Sequence, residues 1–327
     1  MKKLPILLLL LSGCAPEPRA VPDKLATVGE VRIGFGGTRA PISMGGASMS
    51  EFHYLTYDYS IGAWSGELGG VAEGSGDSSA PFWPADASRV YWPEGKSYSF
   101  YAAGYNEALA VPESAVEFGT AMTLYSSGTS AILNLKNPGH NVDWLAAKVV
   151  NQGKVAGIPL NFRHVCSRIS RIIYDVSAYS EWIADRELDI ADIVSLGCTL
   201  SDADEQTYIY SGNDGTLFKK ESSDYTSSPE HPLDGTRALN LWAGGTSAEL
   251  AFYAFPGVHR LSIHIQAVNA WGNQVVDDRV MSGDITLPMN ADCELTVTLN
   301  PWDRALQLEV NTSLASWELG GSGIVEE

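Results

Sequence analysis

The residue types that do chemistry are all present, but few stand at the spacing a reaction needs. Gly95-Lys96-Ser97 has the look of the end of a phosphate-binding loop. That loop requires a glycine five residues before the one preceding lysine. Val90 stands there, so the backbone cradle for phosphate is missing. Gly245-Thr246-Ser247-Ala248 continues with Glu249, not with the glycine of a nucleophile elbow. Asp202-Ala203-Asp204-Glu205-Gln206 begins like a calcium loop, yet Thr207 occupies the position where the sharp turn requires glycine. His259 and His264 are five apart, which on a strand puts them on opposite faces. A carboxylate pair for glycoside cleavage would come from separate strands and is invisible to spacing. With 39 acidic residues, surface carboxylates are the simpler account. The reading is of a non-enzyme, and no residue is assigned to catalysis, to a metal or to a cofactor.

One cysteine does have a chemical context. Met1-Lys2-Lys3 is a short basic start, and Leu4 to Leu11 is an apolar run too short to span a bilayer. It ends in Leu11-Ser12-Gly13-Cys14, small residues directly before a cysteine, as in a bacterial lipobox. There the thiol is lipidated, the chain is cut before it, and the new N-terminus is acylated. Residues 1–13 are therefore expected to be a lipoprotein signal peptide, with Cys14 the lipidation site. Their removal would leave 314 of the 327 residues and, with Lys2 and Lys3 gone, shift the formal charge from −18 to −20. Two or three acyl chains anchor durably where one does not. Ala15 follows the cysteine where an aspartate would favour inner-membrane retention, so the expected address is the outer membrane.

Composition narrows the rest. Hydrophobic residues make up 45% of the chain and charged residues 18%, enough for sizeable cores and too little charge for disorder. The acidic balance excludes an electrostatic nucleic-acid binder. Past Cys14 only Cys166, Cys198 and Cys293 remain, without a C-x-x-C, and they read as buried small apolar residues. Trp and Tyr are abundant, most densely at Phe82-Trp83-Pro84 and Tyr91-Trp92-Pro93, and read chiefly as core.

The elements that must position these residues read as strands. Residues 14–26 carry three prolines and no apolar period, an extended tether. Val31, Ile33 and Phe35 alternate with Arg32 and Gly34, a strand with one apolar face. It stops at Gly36-Gly37-Thr38-Arg39-Ala40-Pro41. Residues 43–80 read as short strands and long loops. Further strands are expected at 98–103, 131–135, 158–162, 165–176, 190–200, 206–211, 216–219, 248–255, 258–268, 274–280, 284–287, 293–299 and 304–310. Gly212-Asn213-Asp214-Gly215 and Trp271-Gly272-Asn273 read as hairpin turns. Helical periodicity is weak, with one candidate at 179–193. Many short strands imply an all-β protein of two tandem β-sandwiches. A change in composition near Gly157 places them at 27–156 and 157–327.

The order of these pieces resembles the fimbrillin family, the subunits of type V pili in Gram-negative anaerobes. It runs from Cys14 and the tether to the strand ending in Thr38-Arg39-Ala40. It continues through Tyr91-Trp92-Pro93 before Tyr98-Ser99-Phe100-Tyr101-Ala102, then Val142-Asp143-Trp144-Leu145-Ala146-Ala147. Leu160 to Ile169, Leu295 to Asn300 and Trp317 close it. The resemblance implies transthyretin-like, Greek-key sandwiches. It also implies export as an outer-membrane lipoprotein and cleavage by an arginine-specific protease after Arg39. Val28 to Phe35 would be the removed strand, with Val31, Ile33 and Phe35 as its apolar face. The vacated edge would then take a strand from the next subunit. The implied partners are other pilus subunits, the membrane through the lipid, and a ligand on a host or bacterial surface. The implied location is the cell surface, then the fimbrium after processing. A glycan-binding surface lipoprotein is the alternative reading, and a lipoprotein hydrolase ranks last.

Overall fold

The architecture is given by a computed structural model. It describes residues 49, 51–65, 69–73, 82–84, 92, 95–106, 121–155, 157–185, 190–211, 217–219, 225–240, 246–269, 271, 274–302 and 307–313. Cys14, Val31, Ile33, Phe35 and Arg39 lie outside the described residues.

Among the described residues the fold is all-β with one complete short helix. The first strands are β1 (Glu51–Asp58), β2 (Ala63–Trp64), β3 (Gly70–Glu73), β4 (Trp83–Pro84) and β5 (Tyr98–Tyr105). Next come β6 (Met122–Ser127), β7 (Ser130–Lys136), β8 (Trp144–Gln152) and β9 (Arg163–His164). One sheet runs β4-β3-β1-β5-β8-β9, with β2 beside β1. Its central strand β5 is buried from Tyr98 to Gly104. Tyr98, Phe100 and Ala102 face one core with Phe52, Tyr54, Leu145 and Ala147. Tyr101 and Ala103 face the other. A sheet covered on both faces needs apolar side chains at successive positions, so period-two alternation disappears from its sequence. β1, with Phe52 and Tyr54 on one side and Leu55 and Tyr57 on the other, falls in the stretch 43–80 that reads as short strands and long loops, with no strand bounds set within it.

The expected strand at 158–162 is an exception of the opposite kind. Ile158, Leu160 and Phe162 are buried in alternation against the outer face of this sheet. The stretch nevertheless forms no continuous strand and makes only an isolated bridge at Asn161, because Pro159 has no N–H to give and Leu160 N–H turns back to the Ile158 carbonyl at 3.1 Å.

The second half contains β10 (Ser167–Asp175), β11 (Ile190–Ser201), β12 (Glu205–Ser211), β13 (Leu217–Lys219), β14 (Glu230–Leu239) and β15 (Thr246–Ala254). β16 (Gly257–Asn269), β17 (Val275–Leu287), β18 (Asp292–Thr298) and β19 (Gln307–Ser313) complete it. Sheets β15-β10-β18-β19 and β14-β11-β16-β17 face each other. Leu261, Ile263 and Ile265 pack between them with Cys293, Leu295 and Val297. The alternation in β16 and β18 is the signature of a half-buried strand and matches this arrangement. The two strands expected at 274–280 and 284–287 are one, β17, paired with β16 along its length.

The helix α1 (Ser177–Asp185) is shorter than the stretch considered for it, and by residue 190 the chain is extended. Asp175 caps it, its Oδ1 accepting Ser177 N–H at 2.9 Å. Tyr179, Trp182 and Ile183, at i, i+3 and i+4, form its buried face.

Two ladders cross the boundary expected near Gly157, the short pairing of β9 with β8 (Leu145↔His164, Ala146↔Arg163) and a longer one. β12 pairs antiparallel with β7 from Glu205↔Lys136 to Ser211↔Ser130, giving the sheet β13-β12-β7-β6. The second half thus lends a hairpin to the first sandwich, where Tyr208 and Tyr210 join Leu133, Leu135 and Trp144 in one core. Tyr253 and Phe255 reach the same core from the end of β15.

Candidate functional site

A strand-accepting site must be a sheet edge of useful length. In the first sandwich, the edge strands β4 and β9 have two residues each and β13 has three. Short edges are one way in which proteins avoid unwanted pairing. β6, with six residues, is longer, and among the described residues β7 is its only ladder partner. Met122 is buried in the sandwich core and Leu124 packs against it, while Thr123 and Tyr125 face outward. The β6–β7 hairpin closes at Gly128, whose φ of 58° suits the first position of a two-residue turn. Trp64 Nε1 donates to the Gly128 carbonyl at 2.9 Å and ties that turn to β2. Sequence reasoning passed over β6, because Met-Thr-Leu-Tyr-Ser-Ser ends in polar residues and its apolar period covers a single turn of alternation.

The stretches singled out for other chemistry take structural places. Lys96, the apparent phosphate-loop lysine, puts its Nζ 2.8 Å from Asp58 Oδ2. Trp92 Nε1 donates to the Lys96 carbonyl at 2.9 Å. Burial alone would raise the Asp58 carboxyl. Hydrogen bonds from Lys96 and Ser60, with the ammonium charge, outweigh it and hold the group below the usual range. Cys166, Cys198 and Cys293 are buried free thiols. Burial pushes Cys198 and Cys293 up to about 12 and raises Cys166 well above its ordinary value, which disfavours the thiolate that a nucleophile needs. Phe82 and Trp92, from the densest aromatic groups, are core. Among the described residues the most exposed aromatic side chains are Trp271 in the β16–β17 turn, Trp302 beyond β18 and Tyr125 on β6. They stand on three separate elements, not in a row on one sheet face.

Several buried polar residues, His140, Asp202 and His259 among them, gather where the two sandwiches meet. His259 and His264 do lie on opposite faces of β16, the first buried and the second exposed and bonded to Asp278 at 2.7 Å. His259 Nδ1 lies 2.9 Å from the Ser201 carbonyl and Nε2 lies 2.7 Å from the Phe255 carbonyl. Asp202 is buried and accepts the backbone N–H groups of Ala203 at 2.8 Å and Phe255 at 3.0 Å. His140, in the turn between β7 and β8, has Nδ1 3.2 Å from the Tyr253 carbonyl and 3.3 Å from Asp202 Oδ2. Asp204 Oδ1 lies 3.2 Å from His231 Nε2 and 4.0 Å from His140 Nε2. Burial, with His140 beside it, holds His231 below its ordinary value.

No protein-family model matches the chain, and no curated protein matches it at a significant level. Among solved structures it is similar to a fimbrial protein from Bacteroides vulgatus, at 14% identity and a TM-score of 0.49, over 87% of this chain and 98% of that one. A protein provisionally assigned to cell adhesion from Bacteroides uniformis shows 11% identity and a TM-score of 0.45, over 87% and 98%. A fimbrilin from Porphyromonas gingivalis shows 10% identity and a TM-score of 0.33, over 86% and 96%.

Proposed function

We propose that the chain is a structural or adhesive subunit of a surface pilus, exported as a lipoprotein and assembled by β-strand exchange after proteolysis. The observation that carries this reading is the β6 edge, six residues long, in the sandwich that directly follows the Val31/Ile33/Phe35 segment and Arg39. Lipid on Cys14 holds the subunit at the outer membrane and keeps copies apart. A protease cuts after Arg39 and separates residues 14–39, which carry the lipid, from the rest of the chain. We assign to the Val28 to Phe35 segment, through Val31, Ile33 and Phe35, the place beside β6 before the cut. Afterwards a strand of the next subunit takes that place and makes the same main-chain bonds. Delaying exposure of the edge until after export avoids premature aggregation.

A peptide of residues 27–36, added in trans to the Arg39-cleaved chain, tests the site. It should bind and slow amide exchange along β6, whereas a scrambled peptide should not. Binding with no added protection at Met122–Ser127 would place the groove elsewhere, and absence of binding would remove the strand-exchange mechanism.

A further inference from the structure

His140, Asp204 and His231 offer one ligand atom each, all within 4.8 Å of one another. They come from three separate parts of the chain: the β7–β8 turn, the β11–β12 connection and the edge strand β14. From this convergence we propose a binding site for a borderline divalent transition ion, Zn²⁺ foremost, at the junction of the two sandwiches.

Three features make it a site and not a chance cluster. His140 is 1% exposed, and its Nε2 has no hydrogen-bond partner. A buried ring nitrogen left unbonded costs about 1–3 kcal/mol, so a ligand role gives it a purpose. Its other nitrogen faces the Tyr253 carbonyl and the Asp202 carboxylate. With the proton on Nδ1 and held by these groups, the outer-shell arrangement of metal-bound histidines, Nε2 is left with its lone pair 4.0 Å from Asp204 Oδ1. The ring is also held in place. His140 has φ 47°, a left-handed conformation uncommon outside glycine. Its N–H donates to the Asn137 carbonyl at 3.0 Å, and its carbonyl accepts Tyr253 N–H at 2.8 Å. Phe252 stacks on the ring at 4.6 Å.

The donor set selects the ion. Two imidazoles and one carboxylate suit Zn²⁺ and its neighbours, whereas Ca²⁺ and Mg²⁺ favour oxygen donors. Bonds of about 2.0–2.1 Å in a tetrahedron hold ligand atoms roughly 3.4 Å apart. The 3.2 and 4.0 Å separations to Asp204 bracket that value. Asp204 is 49% exposed, so the ion enters from that side and its fourth position faces water. Bound there, it would pin the β7–β8 turn of the first sandwich to an edge strand of the second.

The test is calorimetric titration of the chelator-stripped full chain with ZnCl₂, beside Asp204→Asn and His231→Gln. Both positions reach the surface, so both variants should fold, as circular dichroism will check. The wild type should bind one equivalent and unfold at a higher temperature when loaded. CoCl₂ should give the visible bands of a tetrahedral site. Each variant should lose at least tenfold in affinity, and CaCl₂ or MgCl₂ should do nothing. Wild-type chain without stoichiometric binding would overturn the proposal. So would variants that bind as tightly as the wild type, which would place the ion elsewhere, for example at His264 and Asp278. Should a variant not fold, the absence of tetrahedral Co²⁺ bands from the wild type would by itself be decisive against it.

Discussion

Single residues here do structural work with chemical groups, and Asp58 with Lys96 shows how. Asp58 is buried, Lys96 about one third exposed, and Ser60 closes the carboxylate from the other side. Lys96→Met should lower stability by about 1–2 kcal/mol at pH 7, the cost of leaving a buried carboxylate short of its partner, reduced because water reaches the lysine. The pH dependence follows from the direction of the shift. The folded Asp58 pKa is depressed, so its contribution is complete above the unfolded value of about 3.9 and is lost as pH falls through the folded one. In urea titrations the gap between wild type and Lys96→Met should hold from pH 7 to about pH 4 and narrow below that. A gap that narrows near pH 6 instead would point to a histidine. The motif at 95–97 was legible only as an absence of phosphate chemistry. Its partner Asp58 is 38 residues away and carries no sequence signal.

Elements divide by how many of their faces are buried. β16 and β18 bury one face each and were legible as alternating runs. β1 and β5 are buried on both faces, and of these only β5, with its aromatic run, stood out. β14 was missed because Pro232 and Gly235 interrupt it. A sheet edge tolerates both, and its register against β11 shifts several times. β6 was hidden by its polar end, yet it is the element on which the proposed function turns. Replacing the inward-packed Leu124 with lysine would place a charge against the first core. Loss of about 2–4 kcal/mol is expected, together with loss of peptide acceptance after cleavage. Thr123→Lys, outward on the same strand, should leave stability within about 0.5 kcal/mol. Equal effects at the two positions would mean that β6 does not present its faces as described.

At the scale of the molecule, two β-sandwich cores were legible from the count of short strands, while their stitching was not. The β7–β12 ladder joins residues about 70 apart, and no local pattern encodes such a pairing. The lipidation proposed at Cys14 rests on the sequence alone. Cys14→Ala should move the protein from the membrane fraction to the soluble fraction and abolish incorporation of labelled fatty acid. Retention of both would refute the lipid anchor. The strand proposed before Arg39 carries the larger consequence. Burying Val31, Ile33 and Phe35 at about 1.5–3 kcal/mol each is comparable to a whole domain's net stability of about 5–15 kcal/mol. Loss of that strand without replacement would destabilise the first sandwich, and a donor strand from another copy would restore the same contacts. Treatment of the purified chain and of Arg39→Ala with an arginine-specific protease, followed by sizing, tests this most directly. Wild type should be cut after Arg39 and grow into multimers, while Arg39→Ala stays monomeric. A wild-type chain that is cut there and remains a stable monomer would contradict assembly by strand exchange.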